Sequence, residues 1–266
     1  MKKETIRNSN HELMRIISMF LIVLGHTILK GYVLNTSNQN IKTIYLFILF
    51  TLIVHVNSYL LLTGYYQSKS TFKQKKIWSI VNANLFYRIV IMIIFLLLNI
   101  VSVSKIQLLK DISIFARDYW FISCYIMLYC LSPFLNKLIN SLNHKEFKLL
   151  IITGGIIFSI IPTITNREFF AMDGYTLYNC IYLYFIGAYL REYPLEKSYL
   201  FKRYSKSTYR IILISIFLSC ILLNYLFYNY AEQIVSYNSF FEYLSKIIIN
   251  ASLSYNNPII IIQSIA

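Results

Sequence analysis

Seven apolar runs close to the length of a membrane span, at 13–34, 43–66, 77–103, 118–139, 147–165, 175–193 and 209–230, leave this chain few ways to fold. A helix rises about 1.5 Å per residue, so about twenty residues cross a hydrocarbon core about 30 Å thick. Each of the eleven acidic residues sits at or beyond the end of a run. With 57% of its 266 residues hydrophobic and 14% charged, the chain has too little polar surface to cover a water-soluble domain. The expected fold is therefore all-α, a polytopic transmembrane helical bundle of seven spans. A possible truncated eighth follows: Ile247–Ala266 is apolar but interrupted by Ser252, Ser254, Asn256, Asn257 and Pro258. The few residues after the proline cannot cross a bilayer, so this stretch is either one broken, polar span or a last helix that has been cut off.

The loops alternate in charge. Sixteen basic residues fall on one side: Lys2, Lys3 and Arg7, then Lys69, Lys73, Lys75 and Lys76, then Lys137, Lys145 and Lys148, then Arg191, Lys197, Lys202, Arg203, Lys206 and Arg210. Seven fall on the other: Lys30, Lys42, Lys105, Lys110, Arg117, Arg167 and Lys246. The positive-inside rule places the amino terminus in the cytoplasm, with residues 1–12 as a cytoplasmic arm and 13–266 as one transmembrane domain. The net charge of +14 is thus that of cytoplasmic membrane loops, and no nucleic-acid-binding module is visible. Cys124, Cys130, Cys180 and Cys220 lie inside apolar runs without metal-ligand spacing and read as small packing residues, so no metal is expected. The first run carries Arg15 and His26 and lacks a small-residue cleavage site, which makes it a retained helix and not a signal peptide.

Those two residues are the chain's most unusual pair. Eleven positions at about 100° each bring them onto one helical face, with His26 about 16 Å further along the axis. Each has a bland reading: Arg15 can snorkel to headgroups or pair with Glu12, and His26 can be a hydrogen-bonded packing residue. Sharing one stripe favours a site, since ionisable groups at such depth face a bundle interior. Arg88 lies near the middle of the third run with no acidic residue inside any span to neutralise it. It either snorkels along Phe86 and Tyr87 or lines a positively charged cavity suited to a phosphorylated or thioester ligand. In Asn57–Tyr66, Asn57 and Gly64 fall two turns apart on one face, and Thr63 and Gly64 serve either close helix contact or chemistry. His55 reads as a packing residue, because its spacing suggests no partner. Tyr119, Trp120 and Phe121 form an interfacial aromatic cluster that would also suit a sugar face.

Four features together resemble the bacterial type 3 acyltransferase family, integral membrane O-acyltransferases of surface glycans. They are Arg15 and His26 with ten residues between them; the stretch from Asn57 to Thr63-Gly64-Tyr65-Tyr66; Tyr119-Trp120-Phe121 leading to Tyr125, Tyr129 and Pro133; and Tyr184-Phe-Ile-Gly187-Ala-Tyr-Leu-Arg191. Thr63 stands where that family usually has Ser, the cluster before the third run is Lys-rich and not Arg-rich, and members commonly continue through further helices. The resemblance implies an O-acetyltransferase in the bacterial cytoplasmic membrane. Acetyl-CoA would be its co-substrate, and a cell-envelope or capsular polysaccharide, or its lipid-linked precursor, its acceptor. On this reading His26 and Arg15 are catalytic, with His26 as base on a sugar hydroxyl and Arg15 on the donor's phosphates or orienting the imidazole. Arg88, Lys73, Lys75 and Lys76 would bind the cofactor, Asn57 and Thr63 would polarise the thioester carbonyl, and Trp120 and Tyr125 would line the acceptor side. Membrane lipids surround the chain, and a homo-oligomer is left open. The alternatives are a transporter or flippase of lipid-linked sugars and an inactive truncated product.

Overall fold

The computed structural model of the chain describes residues 9–31, 36, 38–100, 119–165, 172–198, 201–234 and 239–266. Residues 1–8 of the amino-terminal arm, and Lys105, Lys110, Arg117 and Arg167 of the sparsely charged side, lie outside the described residues. The main helices are α1 (Ser9–Lys30), α2 (Gln39–Leu52), α3 (His55–Gln67), α4 (Gln74–Leu97), α5 (Trp120–Ser141), α6 (His144–Gly155), α7 (Leu177–Glu192), α8 (Lys206–Ile234), α9 (Ser239–Leu253) and α10 (Pro258–Ile265). A π turn, Ile156–Ile160, carries α6 into a further helical turn, Ile161–Thr165. There is no strand among the described residues.

Six stretches are long and apolar enough to cross a membrane: Glu12–Leu29, Gln39–Gln67, Gln74–Leu97, Trp120–Ser141, His144–Thr165 and Lys206–Ile234. The seventh run expected from the sequence, 175–193, becomes α7, which has only 16 residues and is about 24 Å long. Its start is set by a tight turn in which Asp173 and Gly174 take φ of 55° and 84°, a left-handed conformation that ends helical register. Thr176 then caps the helix, its side chain accepting from the Asn179 N–H. Nearly every side chain from Asn179 to Ala188 is buried, so α7 is enclosed by protein and not by lipid.

The chain divides into two compact units, residues 1–66 with 142–266 and residues 67–141, each described by itself. In the first unit α2 and α8 meet through Leu46, Phe50, Ile221 and Tyr228, and Phe47 stacks on Tyr225 with ring centroids 4.5 Å apart. Lys42 Nζ bonds Glu232 Oε1 at 2.5 Å above that cluster. The tail is two helices and not one: α9 ends at Leu253, Ser254–Asn257 form a buried turn, and Asn257 caps α10, with Pro258 at the first helical position where its missing N–H costs nothing. Gln263 of α10 donates to Phe50 O at 2.8 Å, tying the tail to α2.

Helices α3 and α7 cross at two glycines. A Cβ on Gly64 would lie 2.2 Å from Tyr184 O, and one on Gly187 would lie 2.1 Å from Leu61 O. Beyond the crossing, Arg191 Nη1 donates to Tyr65 O at 2.7 Å and to Tyr66 O at 3.4 Å. These are among the last carbonyls of α3, which have no partner within the helix. Replacing Arg191 by Gln is expected to cost about 1.5–3 kcal/mol, the worth of a hydrogen bond to a charged group. Lysine should restore part of it, as a point charge without the guanidinium fork. Thermal unfolding of the detergent-solubilised protein measures both.

In the second unit, Tyr129 of α5 anchors the entry to α4. Its hydroxyl accepts from the Lys73 N–H at 2.9 Å, and Lys76 Nζ sits 4.7 Å from its ring centroid. Asn136 donates to Gln67 O at 3.0 Å.

Candidate active site

Helix α1 runs unbroken from Ser9 to Lys30, so Arg15 and His26 share one rigid element with the expected separation of about 16 Å. Arg15 Nη1 lies 3.4 Å from Glu12 Oε1, and its guanidinium sits 5.0 Å from the Tyr66 ring centroid at the end of α3. The Tyr66 ring meets the Tyr65 ring edge to face, and Arg191 stands 5.4 Å from the centroid of Tyr65. Two guanidinium groups therefore bracket one pair of tyrosines. Arg15 thus pairs with Glu12, one of the readings the sequence offers, and also lies over an aromatic ring that spacing does not announce. Arg191, counted above among the loop cations and quoted within a motif but not named as a site residue, belongs to the same group.

His26 is exposed, and its Nδ1 is 2.8 Å from Ile22 O, one turn back. A carbonyl oxygen only accepts, so Nδ1 must carry the proton of the neutral ring. The other nitrogen, Nε2, is then left with its lone pair. A backbone carbonyl thus fixes the tautomer that a general base needs.

His55 is the residue that sequence reasoning set aside. It opens α3 just after a break at Ile53–Val54, where its Nδ1 bonds Leu52 O, and a side chain inserted at a helix carbonyl is a recognised cause of such a break. The imidazole is 4% exposed, and its Nε2 has no hydrogen-bond partner among the described residues. A Cβ on Gly25 would lie 3.3 Å from His55 Cε1, so the ring packs against the residue next to His26. Its edge faces the Tyr255 ring in the α9–α10 turn, 6.2 Å between centroids. No spacing rule brings together residues from α1, the α2–α3 break and the far end of the chain, and the only early signal was an imidazole inside an apolar run.

Asn57 is wholly buried and its Nδ2 donates to Tyr255 O at 2.8 Å. That bond orients the amide, leaving Oδ1 without a partner among the described residues. Thr63 spends its hydroxyl proton on Tyr59 O at 2.9 Å. A second anchor of this region is Asp173, whose carboxylate accepts from Ser254 Oγ at 2.9 Å while its carbonyl accepts from the Tyr255 N–H at 3.0 Å.

The remaining sequence-derived candidates belong to the second unit. Arg88 is 7% exposed, with Nη1 3.4 Å from Asn84 Oδ1 and its guanidinium 4.0 Å from the Tyr119 ring centroid. Cation–π contact with a desolvated guanidinium is worth up to about 2 kcal/mol, so Arg88 turns inward to Tyr119 while Phe86 and Tyr87 stay exposed. The Lys73 backbone N–H and the Lys76 ammonium meet Tyr129, while Lys73 and Lys75 are exposed. Trp120 and Tyr125, at the start of α5, are part-buried and both flank Phe121, at 5.7 and 6.3 Å between ring centroids.

Compared with known proteins, the chain is matched over residues 8–261 by a family model described as an acyltransferase domain. No curated protein and no solved structure matches it.

Proposed function

Since this multi-pass membrane protein belongs to the acyltransferase 3 family, we propose that it moves an acetyl group from acetyl-CoA to a hydroxyl of a cell-envelope or capsular polysaccharide, or of its lipid-linked precursor. The observation that carries the reading is His26 Nδ1 held on Ile22 O, which leaves Nε2 as an exposed base. In the transfer, His26 Nε2 takes the proton of the acceptor hydroxyl as its oxygen bonds the acetyl carbon. The C–S bond breaks, and the proton passes to the sulfur of the departing CoA. An imidazole can both take and return a proton, which suits it to both halves of that exchange.

Arg15 is assigned to the donor's phosphates, with its geometry held by Glu12 and Tyr66. Arg88, Lys73, Lys75 and Lys76 are assigned, as the resemblance implies, to donor binding, and Trp120 and Tyr125 to the acceptor. Asn57 keeps one amide N–H for the thioester carbonyl, whereas Thr63 reaches it only by releasing Tyr59 O. The excess of basic residues on alternate loops supports a cytoplasmic amino terminus, and with it a donor arriving from the cytosol at the level of Arg15.

The test is the O-acetyl content of envelope glycans in bacterial cells that express wild type, His26→Ala or Arg15→Ala at matched protein levels. Acetylation in the wild type that falls in both variants is expected, and equal acetylation in all three removes the assignment. One observation favours a transporter of lipid-linked sugars instead: the helix interrupted at Ser254–Asn257, a feature of transport sites in membrane bundles. That reading expects lipid-linked sugar to cross the membrane with no acetyl group gained.

A further inference from the structure

We propose that Arg191 is a positioning residue for the donor site: by holding the last carbonyls of α3 it keeps the Tyr66 ring under Arg15, and so sets the affinity for the phosphates of the acyl donor without touching them. The proposal rests on the acyl-transfer reading for its purpose, while its geometry is independent of any substrate.

Each link is a direct contact. Arg191 Nη1 donates to Tyr65 O at 2.7 Å and to Tyr66 O at 3.4 Å. The Tyr66 ring meets the Tyr65 ring at 5.2 Å between centroids, and the Arg15 guanidinium lies 5.0 Å from the Tyr66 centroid, within the range of a cation–π contact. The base from which Arg191 reaches is firm. Gly187, one turn earlier on the same face of α7, lies against the α3 backbone at Leu61, and most side chains from Asn179 to Ala188 are buried.

Arg15 needs such a support. Between positions 12 and 20 of α1 only Ser18 is buried, so packing does little to fix that half of the helix. The Arg15 side chain is 37% exposed, and Glu12, with which it pairs, lies on the same helix and moves with it. Among the described residues, the contact that ties its guanidinium to another helix is the Tyr66 ring. Tyr66 in turn stands in the last turn of α3, where carbonyls lack intrahelical partners and helices fray. Arg191 satisfies two of those carbonyls, which keeps the turn wound and the ring in place. A guanidinium grips phosphate through a planar fork, so its orientation counts as much as its charge. Losing Arg191 therefore loosens the grip on the donor while leaving the reacting atoms as they were.

The test uses the full chain in micelles. With ¹⁵N-labelled arginine, the Arg15 Nε–H resonance is identified by its loss in Arg15→Lys, and the ring current of Tyr66 shifts it. Tyr66→Leu is expected to move that resonance, and Arg191→Gln to move it in the same direction. A resonance that Arg191→Gln leaves in place overturns the proposal whether or not the preparation is active. In kinetics, Arg191→Gln and Tyr66→Leu are each expected to raise KM for acetyl-CoA about three- to tenfold with turnover nearly unchanged. Tyr66→Phe, which keeps a ring, should match the wild type, and Arg191→Lys should recover part of the loss. The two substitutions Arg191→Gln and Tyr66→Leu combined should do no worse than the poorer of them alone, because both act on one link. Rises in KM that multiply on combination show Arg191 meeting the donor itself and overturn the positioning role. S-acetylpantetheine carries the thioester without the phosphates, so its KM should be the same for every variant; a rise with it as well assigns Arg191 to general stability and overturns the proposal. If the Arg15 resonance moves as expected but the wild type transfers no acetyl group, the link from Arg191 to Arg15 stands and the acyltransferase reading fails.

Discussion

Replacing His26 by alanine is expected to lower acetyl transfer about 10²–10⁴-fold, the range that a positioned general base contributes, while leaving the fold unchanged. The second half of that expectation comes from where the side chain stands. His26 is exposed, and the bond that holds it runs to a carbonyl of its own helix. Alanine also has the best helix propensity, so the substitution neither opens a cavity nor strands a buried partner. A His26→Gln variant makes the chemical point sharper, because glutamine keeps polarity and reach but cannot accept a proton near neutral pH. Both should unfold at the wild-type temperature and both should be slow. Arg15→Ala should behave differently: a residue that holds the donor's phosphates equally in ground and transition states raises KM for acetyl-CoA with turnover nearly unchanged. Initial rates of CoA release, read with a thiol reagent over a range of acetyl-CoA, separate the two cases. A His26→Ala protein that is folded and turns over within about threefold of the wild type would remove His26 from the chemistry.

What the sequence made legible follows from how far each feature's partners lie along the chain. The α1 helix and its two polar residues could be read directly, because helical spacing and apolar run length are local properties. The α3–α7 contact was half legible: Gly64 announced close approach, but not that Gly187 is its counterpart or that each glycine lies against the other helix's backbone. Run length misled at 175–193. It counts apolar residues without seeing that Asp173 and Gly174 turn the backbone left-handed and that Thr176 caps the helix, which shortens α7 to 16 residues. His55 was read as packing because its relevant neighbours, Gly25 and Tyr255, stand 30 and 200 positions away. The same distance hid the buried Ser254–Asn257 turn and its contacts with Asp173, Asn57 and Ser159. Local pattern thus marks the helices, while the polar pairings between segments far apart in the chain depend on the tertiary fold.

Alanine at either Gly64 or Gly187 is expected to cost at least about 3 kcal/mol, at or beyond the upper end of what overpacking usually costs. The reason is the identity of what the new methyl group meets. At 2.2 Å from Tyr184 O and 2.1 Å from Leu61 O it would overlap backbone atoms of the neighbouring helix, which cannot rotate aside as a side chain does. The helices would have to part by more than an ångström, and the separation would be shared by everything they clamp. Arg191 would withdraw from the carbonyls of Tyr65 and Tyr66, and the Tyr65–Tyr66 pair under Arg15 would shift with it. Gly25→Ala supplies the contrast. Its methyl group would meet the His55 ring at 3.3 Å, a side-chain contact that relaxes by a few tenths of an ångström, so its cost should stay below about 1 kcal/mol. Thermal midpoints of the three variants in one detergent test the ordering. Gly64→Ala and Gly187→Ala should fall together and far below Gly25→Ala, since the first two break one crossing. Midpoints within about 2 °C of the wild type for either of them would mean that α3 and α7 do not meet backbone to backbone.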